Sequence, residues 1–153
     1  MIRINIVAVG KLKEKYWKDA ISEYSKRMQR YYNLSIIEVN EYSSSKNIEV
    51  IKAQEEEAIL SKTRGKIVLL DIQGDMVSSE EISSFIEDYA IKGTSEITFI
   101  IGGSHGVSDQ VKGSADKIIS FGKVTYPHQM VRLILMEQIY RAGTIMNKEN
   151  YHK

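Results

Sequence analysis

Residues 96–106 read EITFIIGGSHG: an almost unbroken apolar run that stops at two glycines. A strand exposed on one face alternates apolar with polar, whereas one covered on both faces can be apolar throughout. Residues 96–101 are therefore expected to be an interior strand of a parallel sheet, and the glycines the turn after it. KIVLLDI at 66–72 has the same character. IRINIVAV at 2–9, LSIIEV at 34–39 and KIISF at 117–121 are further β-branched runs ended by turn or polar residues.

Helical patterns fill the intervals. From Glu14 to Tyr32 the residues Tyr16, Trp17, Ala20, Ile21, Tyr24, Met28 and Tyr31 recur at spacings of three and four, which predicts an amphipathic helix. Residues 48–62 read as a second helix with Glu55, Glu56 and Glu57 as a solvated edge, preceded by a polar loop at Ser43–Asn47. Ser78 or Ser79 can cap a third helix running to about Ile91. A short helix from Ser108 and a long one from Pro127 to about Asn147 complete the chain. Strands alternating with helices predict an α/β fold, a parallel-rich sheet with helices on both faces. At 153 residues, with no repeat or linker, residues 1–153 are expected to form one domain.

Composition narrows the function classes. Apolar residues are 42% and charged ones 27%, the proportions of an ordinary globular chain, and no apolar run approaches the ~20 residues of a membrane span. There is no cysteine, hence no disulfide framework or thiolate metal site. The opening MIRINIVAVGKLKEKYW lacks the order of a signal peptide, so a cytoplasmic address is expected. The net charge of +1 hides a segregation: residues 10–32 carry seven bases against three acids, and residues 33–100 thirteen acids against six bases. Local positive charge is what an RNA-binding face needs, although a solvated helix surface looks the same.

In open parallel sheets ligands lie beyond the carboxyl ends of the strands, so residues 70–74, 102–106 and 121–127 are the first places to look. IGGSHG is neither the dinucleotide fingerprint nor a phosphate loop. Gly102-Gly103-Ser104-His105-Gly106 does fit the nucleophile elbow of serine hydrolases, with Asp116 and His128 or His152 in the right order, so a hydrolase is one alternative. A catalytically idle binding module is another. In the last helix, Val131, Ile134, Leu135, Ile139, Ala142, Ile145 and Met146 form one apolar face, with Met130, Leu133, Met136 and Tyr140 largely opposite. Two apolar faces call for two partners, the sheet and a second copy, which predicts a homodimer. Glu137 and Arg141 stand in ion-pair spacing, but Arg132 has no partner four residues away, which makes it a functional candidate.

Six segments in order, NIVAVGKLKEKYW, LLDIQG, FIIGGSHG, YPHQMVR, EQIYRA and the terminal YHK, resemble the RlmH family of SPOUT-class methyltransferases from end to end. The resemblance implies a trefoil-knotted sheet and N3-methylation of a pseudouridine in 23S rRNA, in the stem-loop facing the small subunit. It also implies an S-adenosylmethionine pocket lined by Leu70, Gly102, Phe121, Gly122, Lys123, Val124, Thr125 and Tyr126. Gly143 departs from it, standing where an aromatic residue is expected after Arg141-Ala142. Methyl transfer from a sulfonium needs no metal, but N3 carries a proton that must leave, so a base or stabilising cation is required; His128, His152 and Arg132 are the candidates. Tyr151, His152 and Lys153 bring together groups that stack, handle protons and contact phosphate, and in a dimer they are expected to reach the partner's pocket. Lys123 and the lysines of the first helix, Lys11, Lys13, Lys15 and Lys18, are expected to contact RNA, within the ribosome or as free rRNA.

Overall fold

The computed structural model describes residues 1–42 and 47–153. In chain order it contains β1 (Arg3–Val9), α1 (Lys15–Met28), β2 (Asn33–Val39), α2 (Ile48–Lys62), β3 (Lys66–Met76), α3 (Ser79–Ile91), β4 (Glu96–Ile101), α4 (Asp109–Ser114), β5 (Lys117–Ser120) and α5 (His128–Met146). The strands form one sheet in the order β2-β1-β4-β3-β5, and each neighbouring pair is parallel. The expected polar loop at Ser43–Asn47 lies, apart from Asn47, outside the described residues.

Successive side chains of a strand point to opposite faces, and here each face has its own core. Ile4, Ile6 and Ala8 of β1, with Val68, Ile97 and Phe99, pack against Ile21 of α1, Ile82 and Ile86 of α3, and Leu135 and Ile139 of α5. Val7 and Val9, with Leu69 and Ile100, meet Ile59 of α2 and Val111 of α4 on the other side. Strands covered in this way have no solvent face to keep polar, which is why β4 shows no alternation. Burying one such aliphatic side chain is worth about 1.5–3 kcal/mol.

Helix α1 and strand β3 differ from the sequence expectation in length. Helix α1 ends at Met28 rather than Tyr32, because the amides of Tyr31 and Tyr32 both turn back to the Met28 carbonyl. Tyr32 then drops into the core and donates its hydroxyl to the Ile139 carbonyl at 3.0 Å, and burial raises its phenol well above the ordinary range. Strand β3 runs on to Met76, with an irregularity in which Leu70 and Asp75 both partner Ile119. The excursion between them lays Gly74 on β5, where an added Cβ would stand 2.8 Å from the Ile118 carbonyl oxygen.

Helix α5 does not divide as its pattern suggested. Leu135, Met136, Ile139 and Ala142 are buried together, drawn from both expected faces, and the half-exposed apolar stripe is Met130, Ile134 and Ile145. The departure at Gly143 also has a reason: an added Cβ there would sit 2.6 Å from the Tyr31 ring, so the glycine lets the end of α1 close onto α5.

Candidate active site

Helix α3 leaves β3 toward one face of the sheet and α4 leaves β4 toward the other, opening a crevice beyond the carboxyl ends of β3, β4 and β5. A groove of about 280 Å³ lies there. Leu70, Gly102, Phe121, Gly122, Val124, Thr125 and Tyr126 line it as the resemblance implied, and so does His128. Lys123 does not; its side chain is exposed beside the groove.

Main chain forms much of this surface. The Gly106 amide donates to the Gly103 carbonyl at 3.0 Å, closing a tight turn in which Gly106 takes φ +80°. A Cβ on Gly102 would come within 2.6 Å of Val107 Cγ1, so any side chain there would displace the turn. On the opposite wall the buried Ser120 hydroxyl accepts from the Gly122 amide (3.1 Å) and donates to the Gly122 carbonyl (2.9 Å), holding that glycine at φ +113°. Sequence reasoning missed Ser120, whose only signal was a hydroxyl two residues before a glycine. Backbone edges locked in this way suit a ligand recognised by shape and main-chain hydrogen bonds.

Arg132 lies outside the groove. It is 1% exposed, its Nη1 donates to Glu38 Oε2 at 2.6 Å and its Nη2 to the Gly10 carbonyl at 3.2 Å. The same Glu38 oxygen accepts from the Leu12 amide at 3.1 Å. Arg132 has an ion-pair partner after all, supplied by β2 rather than by its own helix, and it is a strut for the turn at residues 10–12. Its Nε is the one buried side-chain polar atom without a hydrogen-bond partner among the described residues. Burial alone would raise the Glu38 carboxyl, but the Arg132 and Leu12 hydrogen bonds outweigh it and hold the group below its ordinary value. Gly10, at φ +98°, is where this turn meets His128: an added Cβ would stand 3.0 Å from the imidazole Cε1.

The carboxylates behind the glycine turn also differ from expectation. Glu55, read as part of a solvated edge, is 3% exposed and accepts the Tyr42 amide at 3.0 Å. Three consecutive helical residues span about 200° of azimuth, so Glu55, Glu56 and Glu57 cannot share one exposed edge. Burial raises the Glu55 carboxyl, partly offset by the Tyr42 amide. Ser104 donates to Glu41 at 2.9 Å. Asp116 accepts the Ile67 amide at 2.8 Å, and His152 faces Glu80. Ser104 is also absent from the positive-φ residues, unlike the strained serine of an elbow. The hydrolase constellation is therefore not assembled.

The terminal residues fold back on α5. Tyr151 donates its hydroxyl to Glu137 at 2.7 Å, packs edge-on to Tyr140, and lies under the Arg141 guanidinium at 4.7 Å from the ring centre. The Glu137 hydrogen bond, more than burial, raises its phenol well above the ordinary range. His152 bridges Arg141, 3.1 Å from Nδ1, and Glu80, 2.6 Å from Nε2. A guanidinium only donates, so Nδ1 must accept and the ring hydrogen sits on Nε2, directed at Glu80. Val131 lines the groove, and Glu137 and Arg141, which hold the tail, lie six and ten residues further along the helix, about 9 and 15 Å, so the tail sits beyond the groove of its own chain.

The comparisons with known proteins agree with this geometry. A family profile described as "Predicted SPOUT methyltransferase" matches residues 2–152. A protein named "Ribosomal RNA large subunit methyltransferase H" from Clostridium acetobutylicum is 48% identical over 159 residues, covering 99% of this chain and 100% of the relative. One of the same name from Fusobacterium nucleatum is 46% identical over 155 residues, again covering 99% and 100%. Among solved structures, "a probable methylase family protein from Haemophilus influenzae Rd KW20" superposes with TM-score 0.53 at 12% identity, over 99% of this chain and 71% of that one, a likeness of fold. The α/β sheet, its glycine-lined groove and the end-to-end match lead to one conclusion: this chain belongs to the SPOUT methyltransferase family.

Proposed function

We propose that this protein transfers a methyl group from S-adenosylmethionine to N3 of a pseudouridine in the large-subunit (23S) rRNA stem-loop facing the small subunit, acting in the cytoplasm as a homodimer. The observation that carries the reading is the groove beyond β3, β4 and β5, whose wall at Gly102 is bare main chain because a Cβ there would run into Val107. The printed name of the full-length relatives supports the rRNA substrate. No helix among the described residues is long and apolar enough to cross a membrane. The trefoil knot belongs to the same proposal, supported by the match to the SPOUT family.

The cofactor supplies an electrophilic methyl on a sulfonium. Leu70, Gly102, Phe121, Gly122, Val124, Thr125 and Tyr126 hold it, and Lys123, outside the lining, is left for phosphate. Positioning the two reactants accounts for much of the acceleration. The proton on N3 needs a base or a cation beside it. His128 stands in the groove, and Tyr151 and His152 enter it from a second chain once released from Glu137 and Glu80. Arg132 acts as a positioning residue, holding the Gly10 carbonyl directly and the Leu12 amide through Glu38, with Gly10 against His128.

The dimer rests on the half-exposed stripe of α5 together with Ile72, Met76 and Val124, which are 54%, 63% and 66% exposed. Ile134→Asp tests it; Ile139, fully buried within the single chain, would report on folding instead. The variant is expected to stay folded and sediment as a monomer, and a folded wild-type chain that is itself monomeric at micromolar concentration would refute the dimer.

The activity test is transfer of labelled methyl from S-adenosylmethionine to ribosomes from a strain lacking this protein, with the product nucleoside read by mass spectrometry. Label at N3 of one pseudouridine of the large-subunit rRNA is expected. A folded protein that leaves both ribosomes and free rRNA unlabelled would overturn the reading and return the idle module to consideration.

A further inference from the structure

The sequence pattern put Tyr16 on the buried stripe of α1, but the structure puts it in solvent, 64% exposed, with its ring 5.2 Å from that of Trp17. Tyr16 is the second residue of α1, which begins at Lys15, and the buried residues of the helix, Ile21 and Met28, come later along it. The surroundings are cationic. Lys15 is paired with Asp19 at 2.6 Å, but Lys11, Lys13 and Lys18 are exposed and form no ion pair among the described residues. Lysines at the start of a helix oppose its dipole, which favours acids there. Helices α2, α3 and α4 each carry an acid in their first turn, whereas α1 and α5 have none. This arrangement does not serve the stability of the helix.

The segment is also fixed with respect to the groove. The Gly10 carbonyl and Leu12 amide are held by Arg132 and Glu38, and Gly10 abuts His128, which lines the groove. Tyr16 follows Gly10 by six positions, so its Cα lies within about 20 Å of that contact even along an extended chain. Unpaired nucleotides are recognised by aromatic faces on which bases stack and by cations that follow the backbone. A duplex offers its stacked bases to neither.

We propose that Tyr16, backed by Trp17 and flanked by Lys11, Lys13 and Lys18, is a stacking platform for an unpaired nucleotide of the rRNA substrate adjoining the base to be methylated. This deepens the reading above and rests on it. The platform holds the loop open at a second point, so that the target base is presented to the groove rather than stacked within its own strand. Because every base has a π face, its contribution is to affinity for single-stranded RNA and not to sequence choice.

Trp17 is the only tryptophan in the chain, so its emission reports on this surface alone. Titrating the full-length protein with oligouridylate should quench that emission, and the same strand annealed to its complement should bind more weakly. Tyr16→Ala should weaken oligouridylate about tenfold, within the range seen for loss of one base stack. It should raise KM for ribosomal substrate and leave kcat unchanged, while Tyr16→Phe restores both KM and quenching. Unchanged strand affinity and KM in Tyr16→Ala, with wild-type transfer intact in the same assay, would overturn the platform and leave the methyltransferase reading standing. Preference for the duplex with silent Trp17 emission would overturn it too, assigning the lysines to helical phosphates. Absence of transfer by the wild type would instead remove the reading beneath it.

Discussion

The groove and the C-terminal tail are two halves of one proposed site, built on opposite principles. The groove is main chain and apolar side chain, fixed by glycines whose extra carbon would collide with Val107 or with β5. The tail is tyrosine, histidine, arginine and glutamate on the surface of α5, held by side-chain hydrogen bonds that solvent can replace. Cofactor recognition is thus inseparable from the fold, whereas Tyr151 and His152 are detachable and sit further along α5; of the candidates for handling a proton, His128 alone lines the groove of its own chain. A site divided in this way should let binding and chemistry be lost independently.

Deleting residues 151–153 tests that division with the largest expected effect. Folding, dimerisation and S-adenosylmethionine affinity should stay close to wild type while methyl transfer falls at least ~100-fold, the lower range for losing a general acid or base. His152→Ala and Tyr151→Ala then apportion the loss between imidazole and ring. Near-normal turnover by the truncated chain would show that the tail plays no part and would leave His128 as the proton acceptor.

Next in size is Arg132→Met, which keeps the apolar stem and removes the strut. Withdrawing one partner of a buried ion pair costs 3–5 kcal/mol, and because Glu38 keeps 34% side-chain exposure the lower end applies, about 3 kcal/mol by urea denaturation. Glu38→Gln should reproduce part of it. A variant of full stability with lost turnover would make Arg132 a catalytic residue instead.

Gly102→Val sharpens the other half of the comparison. The added side chain must push Val107 aside, so S-adenosylmethionine affinity measured by calorimetry should fall at least about tenfold, with circular dichroism unchanged. Equal affinity would place the cofactor elsewhere.

The smallest effects are those of pH on Glu38 and Glu55, the carboxylates behind the turns at Gly10 and Gly103. Glu38 is lowered in the folded chain, so its contribution to stability is present above the unfolded carboxylate value and is lost as pH falls through the folded one. Glu55 is raised, so its contribution is full in acid and is lost as pH rises from the unfolded value through the folded one. Thermal melts between pH 3 and 7 should therefore show Glu55→Gln more stable than wild type at the neutral end and indistinguishable at the acid end. Glu38→Gln should show the opposite trend, and parallel curves for the two variants would contradict both assignments.

The two halves were unequally legible in the sequence, for the same physical reason. Strands apolar on both faces, glycines after β4 and serine caps at Ser78 and Ser108 are local signals, and they located the sheet, the groove and the bounds of α2 and α3 from residue patterns alone. What failed depended on contacts between distant residues. Arg132 found its acid 94 positions away in β2, Glu55 was turned inward by helical geometry against Gly103, and Tyr16, in the first turn of α1, was left in solvent. No spacing rule along one helix reports a partner on another strand. The groove residues beyond Gly102 came from the resemblance rather than from periodicity, and Lys123 was the one among them that the structure leaves outside.

Titration of the wild-type protein with S-adenosylmethionine by isothermal calorimetry tests the central claim most directly. Saturable binding in the micromolar range, about −8 kcal/mol, is predicted, with one site per chain and loss of affinity in Gly102→Val. A folded chain that gives neither heat nor a thermal shift at millimolar cofactor would contradict the account.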